Sequence, residues 1–170
     1  MLEQRGLETE WFPLPAGPVE GCRGCGGCRE NHRCVIQEDG GNDLIEAILR
    51  ADGVAVASPV YFGGPNGALC ALLDRVFFAA STHGQLFRGK PAVALVSCDY
   101  VGGAAALDRL CRYFTVSQMP VAACQDFPVF PHHSVIEREE RALAILNVLG
   151  ENLAGLVLGS GQGRSGSDEM

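Results

Sequence analysis

The chain has 170 residues, 47% hydrophobic and 19% charged, enough for one domain with a buried core and too few for a second. Its net charge of −7, with no basic block to offset it, would repel a nucleic-acid backbone or an anionic membrane surface, so neither is expected as a partner. The N-terminus MLEQRGLETEWF has no basic stretch followed by an apolar run, and no later segment has the roughly 20 uninterrupted apolar residues that crossing a bilayer needs. A cytoplasmic location follows, with the eight cysteines expected as reduced thiols or metal ligands rather than disulfides.

At the front, Leu2 to Arg5 followed by Gly6 reads as the last turn of a helix with its glycine stop, and ETEWFPL, residues 8–14, as a short strand. VEGCRGCGGCRENHRCVI then places Cys22, Cys25, Cys28 and Cys34 in thirteen residues as CxxCxxCxxxxxC, with Gly21, Gly24, Gly26 and Gly27 between them. Two-residue gaps let one tight loop turn several thiolates toward a single centre, and glycines supply the bare backbone and positive φ such a loop needs. The spacing suits a cubane iron–sulfur cluster. Zinc prefers two CxxC pairs across a longer insert, and redox-active thiols without metal are the third reading.

Leu44 to Ala51 ends a helix, and GVAVASPVYF, residues 53–62, is a continuous apolar run of strand length, as a parallel sheet buried on both faces asks. SPVYFGGPNG, residues 58–67, closes that strand with an aromatic and glycine-rich loop suited to a planar ligand, although taken alone the residues favour an ordinary turn with a buried Tyr–Phe pair. A helix over 66–80 carries Leu69, Leu72, Leu73 and Val76 on one stripe, with Asp74 and Arg75 beside it. PAVALVSCD, residues 91–99, is the next strand, and SCDYVGG, residues 97–103, repeats the loop layout before a helix through about Val116. VAACQDFPVF, residues 121–130, is a further strand, Val135 to Leu158 the closing helix, and 159–170 a glycine- and serine-rich tail expected to be disordered. The alternation predicts a doubly wound parallel sheet over 1–158, with ligands at the carboxyl ends of its strands. Cys70, Cys98, Cys111 and Cys124 fall within apolar elements and are expected in the core. His32, His83, His132 and His133 carry no spacing signal.

The order of the cysteine motif, ADGVAVASPVYFGGPNGALCALLDR, the GKPAVALVS strand and a GG loop resembles the iron–sulfur flavoproteins, within the NADPH-dependent FMN reductase branch of flavodoxin-like proteins, over residues 6–125. The resemblance implies a flavodoxin-like three-layer α/β/α fold, FMN and a 4Fe-4S cluster as cofactors, NAD(P)H or ferredoxin as electron donor, and a homodimer or homotetramer. It makes Cys22, Cys25, Cys28 and Cys34 the cluster ligands. Ser58, Pro59, Val60, Tyr61, Phe62 and Gly63 become the flavin-ring loop, and Asp99, Tyr100, Gly102 and Gly103 a second loop beside the ring. Asp74 and Arg75 are expected to steady the helix and subunit contacts, with no side chain acting as a nucleophile.

Two features depart from the pattern. Cys70 stands where family members usually carry Lys, and the family's opening strand and glycine–serine–asparagine phosphate loop have no counterpart. That strand is central in a 2-1-3-4-5 sheet, so its absence would leave ETEWFPL without a partner, GVAVASPVYF with an open edge and the cysteine loop without support. An upstream start, earlier by roughly 30 residues, is therefore expected, the alternative being a degenerate protein that binds flavin weakly or not at all. The expected function is electron transfer through FMN and the cluster. The alternatives are a cluster-free NADPH-dependent FMN or quinone reductase and a non-catalytic redox-sensing module.

Overall fold

The computed structural model describes residues 2–82, 84–125, 128–131 and 140–162. His83, His132 and His133 lie outside them, as do 135–139 of the expected last helix and 163–170 of the expected tail. After a short 3-10 turn at Glu3–Arg5, closed by Gly6 in the left-handed region, the chain runs through α1 (Gly41–Arg50), β1 (Val54–Tyr61), β2 (Gly64–Pro65), α2 (Gly67–Ser81), β3 (Ala92–Ser97), α3 (Gly103–Val116), β4 (Val129–Phe130) and α4 (Glu140–Gln162). The sheet order is β2-β1-β3-β4. β1 and β3 are parallel from Val54 opposite Ala92 to Pro59 opposite Ser97, and β3 and β4 are parallel at Val96–Val129 and Ser97–Phe130.

β3 shows how the layers form. Its side chains alternate between faces: Ala92, Ala94 and Val96 join Leu72, Leu73, Val76, Leu110 and Phe114 in one cluster under α1, α2 and α3. Val93 joins Ile145, Leu149 and Leu153 of α4 in a second cluster on the other side. Helices thus cover both faces of β3, the three-layer flavodoxin-like arrangement. Phe77 anchors the larger cluster, with ring centroids 5.3 Å from Phe87, 5.2 Å from Tyr113 and 6.1 Å from Phe114. The stretch Glu140–Gly159 of α4 is long and apolar enough to span a membrane by length and composition, but Ala142, Ile145, Leu149, Leu153 and Ala154 are buried against the sheet.

Four expectations are corrected. Residues 159–162 of the expected tail are the end of α4, which continues the apolar helix beyond Leu158. ETEWFPL forms no strand, and Trp11 within it is 88% exposed. Among the described residues β2 alone pairs with the outer edge of β1, at Val60 and Tyr61, so 8–14 has no ladder to join. β1 itself is not buried on both faces: Ala55 and Ala57 are exposed, because α4 packs over β3 rather than β1. The strand expected over 121–130 touches β3 at Val121 opposite Ala92 and again at Val129 opposite Val96. Between these points β3 advances four residues and its neighbour eight, so the neighbour bows out of the ladder. Pro128, which has no N–H to donate, re-enters through its carbonyl, accepting from the Val96 amide at 3.0 Å.

Candidate functional site

The first loop begins behind its surface. Ser58 is buried; its Oγ accepts from the Asn66 amide at 2.9 Å and donates to the Pro59 carbonyl at 2.8 Å, fixing both ends of the turn. Asn66 then caps α2, its Oδ1 accepting from the Leu69 amide at 3.0 Å. Between them Tyr61 pairs with Gly64 across a two-residue hairpin whose central residues, Phe62 and Gly63, have φ of 50° and 88°. Positive φ at both is the mark of a type I′ turn. Glycine adopts it freely, whereas phenylalanine rarely does, and the Phe62 ring is fully exposed. A strained, solvent-facing aromatic side chain at a hairpin tip is the kind of outlier that marks a binding site.

The second loop closes on the first. Gly102, with φ of 91°, caps α3, and a Cβ there would stand 2.4 Å from the Gly63 Cα and 2.7 Å from the Gly63 carbonyl oxygen. Only a bare backbone permits that approach. The two loops enclose a crevice of about 260 Å³ lined by Val60, Tyr61, Phe62, Gly63, Ser97, Cys98, Asp99, Tyr100 and Val101, near the lower end of the ~300–1,000 Å³ usual for ligand sites. Six of the ten expected loop residues therefore line it. The other four stand behind: Ser58 and Gly102 as described, Pro59 in the ladder opposite Ser97, and Gly103 packed against Val129 and Cys98. Ser97, Cys98 and Val101 are lining residues the sequence reading missed, although their place at a strand's carboxyl end was signal enough. Cys98, expected in the core, is half-buried at the crevice and donates to the Val101 carbonyl at 3.3 Å. Cys70, Cys111 and Cys124 are likewise half-buried.

The second candidate site is the cysteine loop. Gly24 and Gly26 take positive φ as expected, while Gly27 serves by close approach, since a Cβ there would meet Val35 at 2.5 Å. The loop leans on helices. Asn42 at the start of α1 clamps Cys34 from both sides, its Oδ1 accepting from the Cys34 amide at 2.8 Å and its Nδ2 donating to the Cys34 carbonyl at 2.9 Å. His32 Nδ1 lies 3.2 Å from the Ala79 carbonyl at the end of α2, and Thr82 Oγ1 donates to the Cys28 carbonyl at 3.3 Å. All four cysteines line one cavity, with Arg23, Val35, Ile36, Arg75, Phe78 and Ala79 completing its wall. Cys28 forms its buried side, where burial pushes the thiol pKa up, and Cys22 and Cys25 border solvent.

At the back of that cavity Arg75 is only 2% exposed. One end of its guanidinium is ion-paired with buried Asp39; Nη1 donates to the Cys34 Sγ at 3.5 Å; Nε has no acceptor among the described residues. Burial pushes the Asp39 carboxyl up, but the Arg75 hydrogen bond and charge outweigh it and hold the group below its ordinary value. The expected pairing of roles for Asp74 and Arg75 thus divides. Asp74 does steady the helix, accepting from Tyr113 and Arg109 of α3 at 2.6 Å each, whereas Arg75 faces the cysteines and is too buried for a subunit contact.

Residues 1–130 match the family model described as NADPH-dependent FMN reductase. The chain belongs to the NADPH-dependent FMN reductase family. Among curated members, an iron–sulfur flavoprotein of Archaeoglobus fulgidus is 35% identical over 61% of this chain and 53% of its own length. One of Methanocaldococcus jannaschii is 36% identical over 74% of this chain and 64% of its own, and one of Methanosarcina thermophila 40% identical over 44% and 39%. The chain thus spans about two fifths to two thirds of these relatives. In structure it is similar to RosB, solved with 8-demethyl-8-formylriboflavin-5′-phosphate, at a TM-score of 0.62 and 16% identity over 99% of this chain and 77% of RosB, a likeness of fold.

The donor sets can be tested against the cofactors that the FMN reductase family and its iron–sulfur members imply. A single ion needs several donors within about 2.3 Å of one point, and no three His, Cys, Asp or Glu side chains among the described residues converge so. The cysteines instead stand around a space, with the buried Arg75 guanidinium beside it donating through Nη1 to the Cys34 Sγ. Soft thiolates plus a donor suit an iron–sulfur group whose sulfurs accept hydrogen bonds. The crevice, with Tyr61, Phe62 and Tyr100 exposed at its rim, suits one flat aromatic ligand.

Proposed function

We propose that this chain is the cofactor-bearing part of a flavin-dependent electron-transfer oxidoreductase. FMN lies in the crevice between 58–63 and 97–103, and a 4Fe-4S cluster is held by Cys22, Cys25, Cys28 and Cys34. The observation that carries the reading is that four cysteines spread over thirteen residues line one cavity, with the buried Arg75 guanidinium beside them donating to the Cys34 Sγ. The names of the curated relatives, all iron–sulfur flavoproteins, support it. When bound, FMN supplies exchange of electrons in pairs or singly, and the cluster exchange of single electrons. NAD(P)H or ferredoxin serves as donor, and the protein works as a cytoplasmic homodimer or homotetramer.

The chain's own residues bind and orient. Tyr61, Phe62 and Tyr100 offer aromatic faces to the flavin ring, and the Gly63–Gly102 contact sets the spacing of the two loops. Asn42, His32 and Thr82 hold the cysteine loop against α1 and α2 at Cys34 and Cys28. A cluster-free FMN or quinone reductase is the second reading, favoured by the small enclosed space among the cysteines, about 20 Å³. Anaerobic purification with iron, sulfide and flavin analysis separates the two. About four irons per chain with flavin supports the first reading, flavin without iron the second, and a chain with neither overturns both.

A further inference from the structure

Arg75 is the one buried side chain among the described residues with an unpartnered polar atom, and it stands beside four cysteines. Its geometry is that of an oriented pair. Asp39, itself 6% exposed, takes one end of the guanidinium and turns the rest toward the Cys34 sulfur. Five N–H donors in a rigid fork allow arginine to serve a carboxylate and a sulfur at once, which a lysine ammonium does not reproduce. The pair is neutral overall, yet its positive end faces the cavity. The group shown to reach the cysteines is Nη1, through its hydrogen bond to the Cys34 Sγ, so a charge-assisted donor is already directed at one of the four thiols.

Resting on the cluster reading above, we propose that Arg75, locked by Asp39, is a positioning residue that raises the reduction potential of the cluster held by Cys22, Cys25, Cys28 and Cys34. A cluster on four thiolates is anionic, and reduction adds a further negative charge beside the buried guanidinium. A fixed positive end with N–H groups directed at a ligand sulfur stabilises the reduced form more than the oxidised one.

The test uses the full chain purified anaerobically, with iron content, thermal melting and a dithionite redox titration followed by electron paramagnetic resonance. The double variant R75M/D39N removes both charges together, so overall charge is unchanged and no ion is left buried alone. It should melt as a folded protein, keep at least half its iron, and show a midpoint moved negative by tenfold or more in the reduction equilibrium, about 59 mV for one electron. R75K, which keeps the charge but loses the fork, should move the same way by at least threefold. Midpoints within twofold of wild type in both variants overturn the proposal. If the double variant loses its iron or its fold, R75K decides alone, and an unmoved midpoint there overturns it. Wild-type protein without iron sinks the cluster reading and this proposal together, whereas an iron-loaded wild type with unmoved variants sinks this proposal only.

Discussion

Phe62 and Asp39 show two ways a single residue can be held against its preference. Phe62 is held in the left-handed region with no packing to repay it. Replacing it by glycine should therefore stabilise the fold by about 1 kcal/mol, the typical left-handed penalty, while weakening flavin binding; parallel melting curves and flavin titrations check both halves. Asp39 is held ionised in a buried site by Arg75. Its folded pKa lies below the unfolded one, so its contribution is complete above the ordinary carboxylate value of about 3.9 and fades as pH falls through the lowered value. D39N should cost about 3–5 kcal/mol at neutral pH, with the gap from wild type narrowing in acid, as urea melts at pH 7 and pH 3 would reveal. The four cysteines were legible because spacing in a glycine loop is a local signal. Arg75 was not. On the helical pattern it sits at the border of the Leu72–Val76 stripe, and what draws it inward is a carboxylate 36 positions away, a separation no periodicity reports.

At the scale of elements, the αβ alternation, the extents of α2 and α3, and the crevice loops could be read from apolar runs and the glycine-rich loops that precede each helix. The errors fall where an element depends on its neighbour. Residues 8–14 have strand composition but no ladder to join, β1 is apolar but half uncovered, and the 121–130 segment contains a proline and four residues more than its ladder needs. α2, by contrast, carries its own start signal. N66A removes the side-chain cap on the Leu69 amide and should cost about 1 kcal/mol, as thermal melts would show, while the Asn66 backbone amide keeps its bond to Ser58 and so should leave the aromatic hairpin and its FMN titration unchanged.

For the whole molecule, the two candidate sites share no lining residue. They share a helix. α2 starts where the aromatic hairpin loop ends, and Arg75, Phe78 and Ala79, further along it, wall the cysteine cavity. From Gly67 to Arg75 the axis advances ~12 Å, and to Ala79 ~18 Å, at about 1.5 Å per residue. Helical phase is therefore a property of the pair of sites. An alanine inserted after Cys70 would leave the Asn66 cap and the aromatic hairpin in place, yet turn everything beyond it by ~100° and slide it ~1.5 Å. Such a chain should still take up flavin while failing to retain iron, an outcome visible in one absorption spectrum beside an iron assay. In this fold a single residue count acts as the gauge that keeps two candidate sites in step.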